Sequence, residues 1–167
     1  GPSAIIQAQP TTVYGLFQGQ EFLQAASMLL PSPERAVYWE CWIREPSTIP
    51  FLNATMLTPS AATLSLKRDA NGALYDRDFS STGQQLVSFP NGPYQLTVAR
   101  STTATNRVPL IQSAAVFPAV PQFAPGTYIH MATPDQNLEL SWLSDPQARA
   151  EDFMLVSVED SNTGERT

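Results

Sequence analysis

The sequence AVYWECWIRE, at residues 36–45, alternates strictly between two kinds of side chain. Successive side chains of a β-strand point to opposite faces of the sheet, so a strand here has one wholly apolar face: Val37, Trp39, Cys41 and Ile43. We predict that this face covers a hydrophobic core. The opposite face combines two aromatic rings with one acid and one base: Tyr38, Glu40, Trp42 and Arg44.

The rest of the chain repeats short alternating runs, and its 15 prolines and eight glycines separate them as turn residues do. Further strands are predicted near residues 12–18, 20–29, 50–57, 62–68, 73–79, 84–89, 93–100, 108–117, 127–132, 136–143 and 152–160. A short amphipathic helix is the alternative at 20–30. The dipeptide Asn71-Gly72 accepts the positive φ angles of a type I′ turn and predicts a hairpin. Strands at intervals of roughly 8 to 12 residues indicate an all-β, antiparallel β-sandwich, either immunoglobulin-like or jelly-roll.

The predicted domain boundary lies in FPAVPQFAPGTY, residues 117–128, where closely spaced prolines favour the extended backbone of a linker. Residues 1–120 would form an N-terminal β-sandwich module. Residues 121–167 would supply further strands, which either complete the same sandwich or start a second module.

Two parts of the chain resemble known classes of protein. LELSW at 138–142, followed by FMLVSVEDSNTG at 153–164, resembles the opening of an immunoglobulin-like or fibronectin type III-like module. VYGLFQGQEFLQ at 13–24 and FPNGPYQLTV at 89–98 resemble segments of large, secreted, multi-domain bacterial surface proteins. These resemblances imply an extracellular location and a modular architecture, and they imply no particular chemistry.

The composition is poor in charge. Charged residues make up 14% of the chain against roughly 25% in an average soluble protein, and Lys67 is the single lysine. Such a polar but uncharged composition is commoner in secreted and cell-surface modules, so we expect a secreted or cell-surface protein.

The net charge of -6 comes from the end of the chain, because residues 135–167 hold eight of the 15 acids and two of the nine bases. Binding to nucleic acid needs clustered lysines and arginines, and no such cluster exists in the sequence. We therefore expect no nucleic-acid partner. No apolar run reaches 18 residues, so we also expect no membrane span.

The sequence offers few residues for catalysis or for metal binding. His130 and Cys41 are each the only residue of their type, so they cannot supply the usual ligands of a metal. No G-x-S-x-G motif accompanies His130. We predict no catalytic residues, no metal site and no cofactor. Two alternatives stay open. One is a glycosidase-like carboxylate pair drawn from Glu40, Glu45, Asp76, Asp78, Glu151, Asp152, Glu159 and Asp160. The other is a calcium site formed by Asp135, Asp145 and Asp160.

The mixed face of the 36–44 strand suggests a ligand. Tyr38 and Trp42 would stand about 13 Å apart on it, with Glu40 between them. Exposed aromatic rings with a few polar groups suit the apolar faces and hydroxyl groups of sugars. We predict a non-catalytic accessory module that binds a polysaccharide through Tyr38, Glu40, Trp42 and Arg44.

The alternative is a central strand packed on both faces, in a structural or adhesive spacer whose partners are neighbouring domains. Trp142 is predicted to lie in a core, because it alternates in phase with Leu138 and Leu140.

Overall fold

The computed structural model describes residues 12–24, 29–46, 50–70, 72–114, 117–124, 140–150, 152, 154 and 162–163. Within these residues the chain forms eight strands and one helix. In chain order they are β1 (Val13–Leu23), β2 (Ser32–Arg44), β3 (Asn53–Leu57), β4 (Thr63–Ser65), β5 (Lys67–Asp69), β6 (Gly72–Phe79), α1 (Thr82–Ser88), β7 (Gly92–Ala99) and β8 (Thr105–Gln112).

The strands form two four-stranded sheets. The first sheet has the order β1-β2-β6-β5 and the second has the order β4-β3-β7-β8. β2 pairs antiparallel with β6 from Val37↔Phe79 to Arg44↔Gly72. β7 pairs antiparallel with β8 over an equal length. The predicted all-β, antiparallel β-sandwich is confirmed.

The apolar face of β2 lies in the core, as its alternation predicts. The exposed fractions of Val37, Trp39, Cys41 and Ile43 are between 0% and 3%. The second sheet supplies the buried side chains of Ala54, Met56, Tyr94, Leu96 and Val98. The Trp39 ring stacks on Phe89, with centroids 4.1 Å apart, and it contacts Tyr94 at 5.7 Å. One strand face therefore provides a large part of the hydrophobic core.

The strand predicted at 84–89 is wrong, because this segment is mainly the helix α1. Ser81 caps the helix, and its hydroxyl accepts a hydrogen bond from the Gln84 amide at 3.2 Å. Ser81 and Gln84 thus have the S-x-x-Q spacing of a capping box, a local helix-start signal. Gln85 is fully buried and donates to the carbonyl of Phe89 at 3.0 Å.

The predicted strand boundaries change elsewhere. β1 is one continuous strand that covers the predicted 12–18 segment and the first part of the predicted 20–29 segment, of which residues 25–28 lie outside the described residues. β8 begins three residues before the predicted residue 108. The hairpin predicted at Asn71-Gly72 exists between β5 and β6, but Asp69 pairs with Gly72 and the turn lies one residue earlier. Gly72 has φ +152°, and a Cβ there would lie 1.9 Å from the carbonyl oxygen of Ile43. Glycine is required at this position by close approach as well as by backbone conformation.

The strand order can be compared with the two sheets of an immunoglobulin-type sandwich, which have the orders A-B-E-D and C-F-G. The first sheet corresponds to strands A-B-E-D, and the second to C-F-G with one extra strand beside C. Tyr94, near the start of β7, donates its hydroxyl to the carbonyl of Pro90 at 2.8 Å. That hydrogen bond has the form of a tyrosine corner, which in such sandwiches lies at the junction between strands E and F, here β6 and β7.

Polar contacts cross the sandwich near both ends of β8. At one end Gln112 accepts from the Trp39 indole at 2.6 Å and donates to the carbonyl of Phe89 at 2.8 Å. At the other end Arg100 forms an ion pair with Glu45, and the exposed fractions of these side chains are only 14% and 4%. Both clusters are satisfied internally, which is what buried polar groups require.

The chain divides into two compact units, one of Gly1–Glu21 with Glu34–Ala115 and one of Phe22–Pro33 with Val116–Thr167. In the second unit, Phe123 and Trp142 meet in an isolated antiparallel bridge. Trp142 is 52% exposed, so its predicted place in a core is wrong. Among the described residues, the segment around Trp142 pairs with another segment only through this one bridge. Because a single bridge does not form a sheet, it provides no sheet face that could bury the indole ring. The strands predicted at 127–132 and 152–160 and most of the one at 136–143 lie outside the described residues.

Candidate functional site

The predicted site residues share the outward face of β2. Tyr38, Glu40 and Trp42 are half-buried, and Arg44 is exposed. On the neighbouring strand β6, Asp78, Asp76, Leu74 and Gly72 are the register partners of these four residues in the same order. The structure therefore brings the predicted residues together on one face of the first sheet, which we call the outer face.

Two glycines of β1 lie beneath the aromatic rings. A Cβ on Gly15 would lie 2.2 Å from Cε2 of Trp42, and a Cβ on Gly19 would lie 2.2 Å from Cζ of Tyr38. Real Cβ atoms do not approach other atoms so closely, so only glycine allows the rings to lie against this strand. Phe17 lies between the two glycines in sequence and meets Trp42 edge-on, with centroids 5.8 Å apart. β1 therefore covers part of both rings.

Arg35 covers Tyr38 from within β2. Its guanidinium carbon lies 4.1 Å from the centroid of the Tyr38 ring, which is within the range of a cation–π contact. Its Nε donates to Asp78 and its terminal nitrogen donates to Asp76, both at 2.6 Å. Burial acts to lower the pKa of Arg35, but the two carboxylates outweigh it and raise the pKa. The Tyr38 ring thus contacts a fixed cation and the glycine backbone.

Arg44 lies over the Trp42 ring as Arg35 lies over Tyr38, but at a greater distance. Its guanidinium carbon lies 5.7 Å from the centroid of the Trp42 ring. Its terminal nitrogen donates to Asp69 at 3.0 Å, where both side chains are more than 40% exposed. Such an exposed pair contributes little stability, at most about 1 kcal/mol.

The ionised form of Glu40 is unfavourable on the outer face. Burial raises its pKa, and the carboxylate of its register partner Asp76 raises it further. Arg35 and Arg44 act in the opposite direction and do not outweigh these effects. Within the part of the chain that the structure describes, no donor makes a hydrogen bond to the Glu40 carboxylate. Two acids directly opposite each other on neighbouring strands repel, so the ionised form of Glu40 destabilises this face.

The other chemical candidates have structural partners or lie outside the description. Burial, with a smaller contribution from Glu40, raises the pKa of Cys41 to about 12, so its thiol is not a nucleophile at neutral pH. Glu45 is engaged by Arg100. Asp145 accepts hydrogen bonds from the amides of Ala119 and Gln147, both at 2.8 Å. Among the described residues, no three His, Cys, Asp or Glu side chains form a group that could hold a metal ion. Asp152 accepts from the backbone amide of Arg149 at 2.8 Å and from its guanidinium at 3.2 Å. The remaining candidates lie outside the described residues: His130, Asp135, Glu151, Glu159 and Asp160.

Sequence reasoning missed Gly15, Gly19 and Arg35. A signal for the glycines was present, because Gly15 and Gly19 are four residues apart, as Tyr38 and Trp42 are. In two neighbouring antiparallel strands, this equal spacing lets each ring meet one glycine. The equal spacing indicates ring-to-glycine contacts only once β1 is known to pair with β2.

No protein-family model, curated protein or solved structure matches the chain. Among the described residues, no helix has the length and apolar character needed to cross a bilayer.

Proposed function

We propose that this chain is a non-catalytic structural module that spaces or joins neighbouring domains of a secreted or cell-surface multi-domain protein. One observation carries the proposal: the rings of Tyr38 and Trp42 lie directly on Gly19 and Gly15 of the neighbouring strand. A packing role of this kind accounts for the aromatic face without a ligand.

The physical reason lies in the position of β1. It is an edge strand of the first sheet, and glycine within a strand costs about 0.5–1 kcal/mol relative to alanine. An aromatic ring from the adjacent strand restores apolar contact over a glycine and shields its backbone, a device known as aromatic rescue. Tyr38 and Trp42 would each supply one such contact and so hold β1 against β2.

Other features support a rigid spacer. The two polar clusters, at Gln112 and at Glu45 with Arg100, tie the two sheets together at either end of the core. The immunoglobulin-like strand order recurs in many cell-surface domains without sequence similarity. The low charge content and the single lysine agree with an extracellular module.

Polysaccharide binding through Tyr38, Glu40, Trp42 and Arg44 is the second candidate. It is favoured by the half-exposed state of Trp42 and Glu40 on the outer face. In this case the contacts with β1 would orient the rings, and the exposed part of each ring would meet the sugar.

Intrinsic tryptophan fluorescence, titrated with a panel of soluble plant, algal and bacterial polysaccharides, separates the two candidates. The proposal predicts no saturable change with any polysaccharide, and it predicts that Trp42→Ala unfolds at a lower urea concentration. Trp142→Ala is the matched control, because Trp142 is exposed and lies in the other compact unit. A saturable change that survives in Trp142→Ala and disappears in Trp42→Ala would replace the spacer role with glycan binding.

A further inference from the structure

The outward edge of β6 is only partly covered. β6 pairs with β2 along its whole length, whereas β5 pairs with it only from Gly72 to Leu74. Among the described residues, no strand pairs with the other edge of β6 from Tyr75 to Asp78. In an antiparallel strand, alternate residues direct their backbone N–H and C=O groups to each edge. This stretch therefore presents a row of backbone donors and acceptors in a position where another strand could pair.

A cleft of about 570 Å³ opens at this edge. Its lining includes two acids, and each of them is engaged by an arginine. Asp69 accepts from Arg44 at 3.0 Å, and Asp76 accepts from Arg35 at 2.6 Å.

The cleft also contains two cations, Lys67 and Arg68. Neither forms an ion pair with any residue that the structure describes, although the Arg68 guanidinium lies 5.4 Å from the centroid of the Phe51 ring. Within the described part of the chain, two positive charges without an acidic partner therefore lie beside the open strand edge. Charge complementarity favours an anionic partner.

We propose that the β6 notch, formed by the open edge at Tyr75–Asp78 with Lys67 and Arg68, binds an extended acidic peptide segment of a partner protein. The segment adds to the first sheet as a strand in line with β5, and its backbone pairs with the free edge of β6. Its acidic side chains contact Lys67 and Arg68. Ser65, Leu74 and Tyr75 also line the cleft.

The open strand edge is what favours a peptide over an anionic glycan. Both ligands could use the two cations, but only a peptide has backbone groups spaced at the repeat of a β-strand. This inference does not use the contacts of Tyr38 and Trp42 with β1, so either proposal can fail while the other stands.

The test uses the full chain labelled with ¹⁵N and the peptide acetyl-Val-Glu-Val-Glu-Val-amide. We expect saturable chemical-shift changes at the amides of Tyr75 to Asp78. Exchanging both Lys67 and Arg68 for alanine weakens binding roughly tenfold, since each exposed ion pair contributes a few-fold in affinity. Arg107→Ala is the matched control, because Arg107 is an exposed arginine on the second sheet, and it leaves the affinity unchanged.

A second peptide isolates the contribution of the strand edge. Methylating alternate backbone nitrogens of the same peptide keeps its charge but removes the donors that pair with a sheet, and we expect binding to be lost. The proposal is overturned if the methylated peptide binds as well as the parent, if the Lys67 and Arg68 variant keeps full affinity, or if the parent peptide causes no shifts at millimolar concentration. Tighter binding of an oligogalacturonate, with the same dependence on Lys67 and Arg68, would instead identify an anionic-glycan site and also overturn it.

Discussion

Replacing Gly15 by alanine tests the contact between β1 and Trp42. The new Cβ would lie 2.2 Å from Cε2 and 2.4 Å from Nε1 of the indole, so the ring has to lift away from the strand. A tryptophan buries roughly 150–250 Å² in a protein, and uncovering one face of the ring exposes about 80 Å² of it. At roughly 25 cal/mol per Å², this loss costs about 2 kcal/mol.

A second effect of the substitution has the opposite sign. Alanine restricts the unfolded chain more than glycine does, which stabilises a protein by about 0.4–1 kcal/mol where the native backbone accepts alanine. Gly15 accepts it, because positive φ among the described glycines occurs only at Gly72 and Gly92. The loss of ring contact is the larger effect, so we expect Gly15→Ala to destabilise the protein by about 1–1.5 kcal/mol.

The sign should reverse once the indole is absent. In a Trp42→Ala background nothing obstructs the new methyl group, so Gly15→Ala should stabilise by about 0.4–1 kcal/mol. The coupling between the two positions is then about 2 kcal/mol, well above the scatter expected for independent sites. Urea unfolding followed by far-UV circular dichroism measures all four proteins without depending on the tryptophan signal.

Gly83→Ala is the matched control for this cycle. The nearest atom to a Cβ at Gly83 is the Ser81 hydroxyl oxygen at 3.9 Å, which is an ordinary contact. We expect Gly83→Ala to have the same effect in both backgrounds. Equal effects of Gly15→Ala with and without Trp42 would refute the packing of the indole on β1.

Three further predictions concern the core and the outer face. Glu45→Ala leaves the half-buried Arg100 without its carboxylate partner, so the free energy of unfolding should fall by about 2 kcal/mol in urea titrations, and a change below about 0.5 kcal/mol would contradict the ion pair. The pKa of Glu40 is raised in the folded state, so the folded protein holds this proton more tightly, and the contribution of Glu40 to stability falls as the pH rises above about 4.3. Glu40→Gln should therefore have a higher Tm than the parent at pH 7 and the same Tm at pH 3.5, whereas a lower Tm at pH 7 would show that the carboxylate is stabilising. Cys41 is fully buried with a pKa near 12, so it should react with a chromogenic disulfide only when urea unfolds the chain, and immediate reaction of the native protein would contradict its burial.

The core strand could be predicted from the sequence because its information is local. A period of two with one wholly apolar face fixes both the strand and the buried side, and Trp39, Cys41 and Ile43 are buried as the alternation requires. The existence of the hairpin between β5 and β6 is equally local, since turn chemistry predicts it, but the prediction placed the turn one residue too late.

The environment of the outer face depended on contacts distant in sequence. Whether Tyr38 and Trp42 were covered depended on which strand lies beside β2 and in which register, and Gly15 is 27 positions from Trp42. The opposite error occurred at Trp142, which was predicted to be buried and is 52% exposed. Its alternation with Leu138 and Leu140 does not show whether another sheet covers that face. The helix α1 was missed for a different reason, since the spacing of Ser81 and Gln84 is a helix-start signal that strand alternation concealed.

The structural role proposed here rests on two ring-to-glycine contacts, and proton NMR observes them directly. The account predicts strong nuclear Overhauser effects from the Gly15 Hα protons to the Trp42 indole and from the Gly19 Hα protons to the Tyr38 ring, with these glycine protons shifted upfield by the ring currents. Glycine Hα protons at ordinary shifts, with no Overhauser effects to either ring, would contradict it and leave the aromatic face free for a ligand.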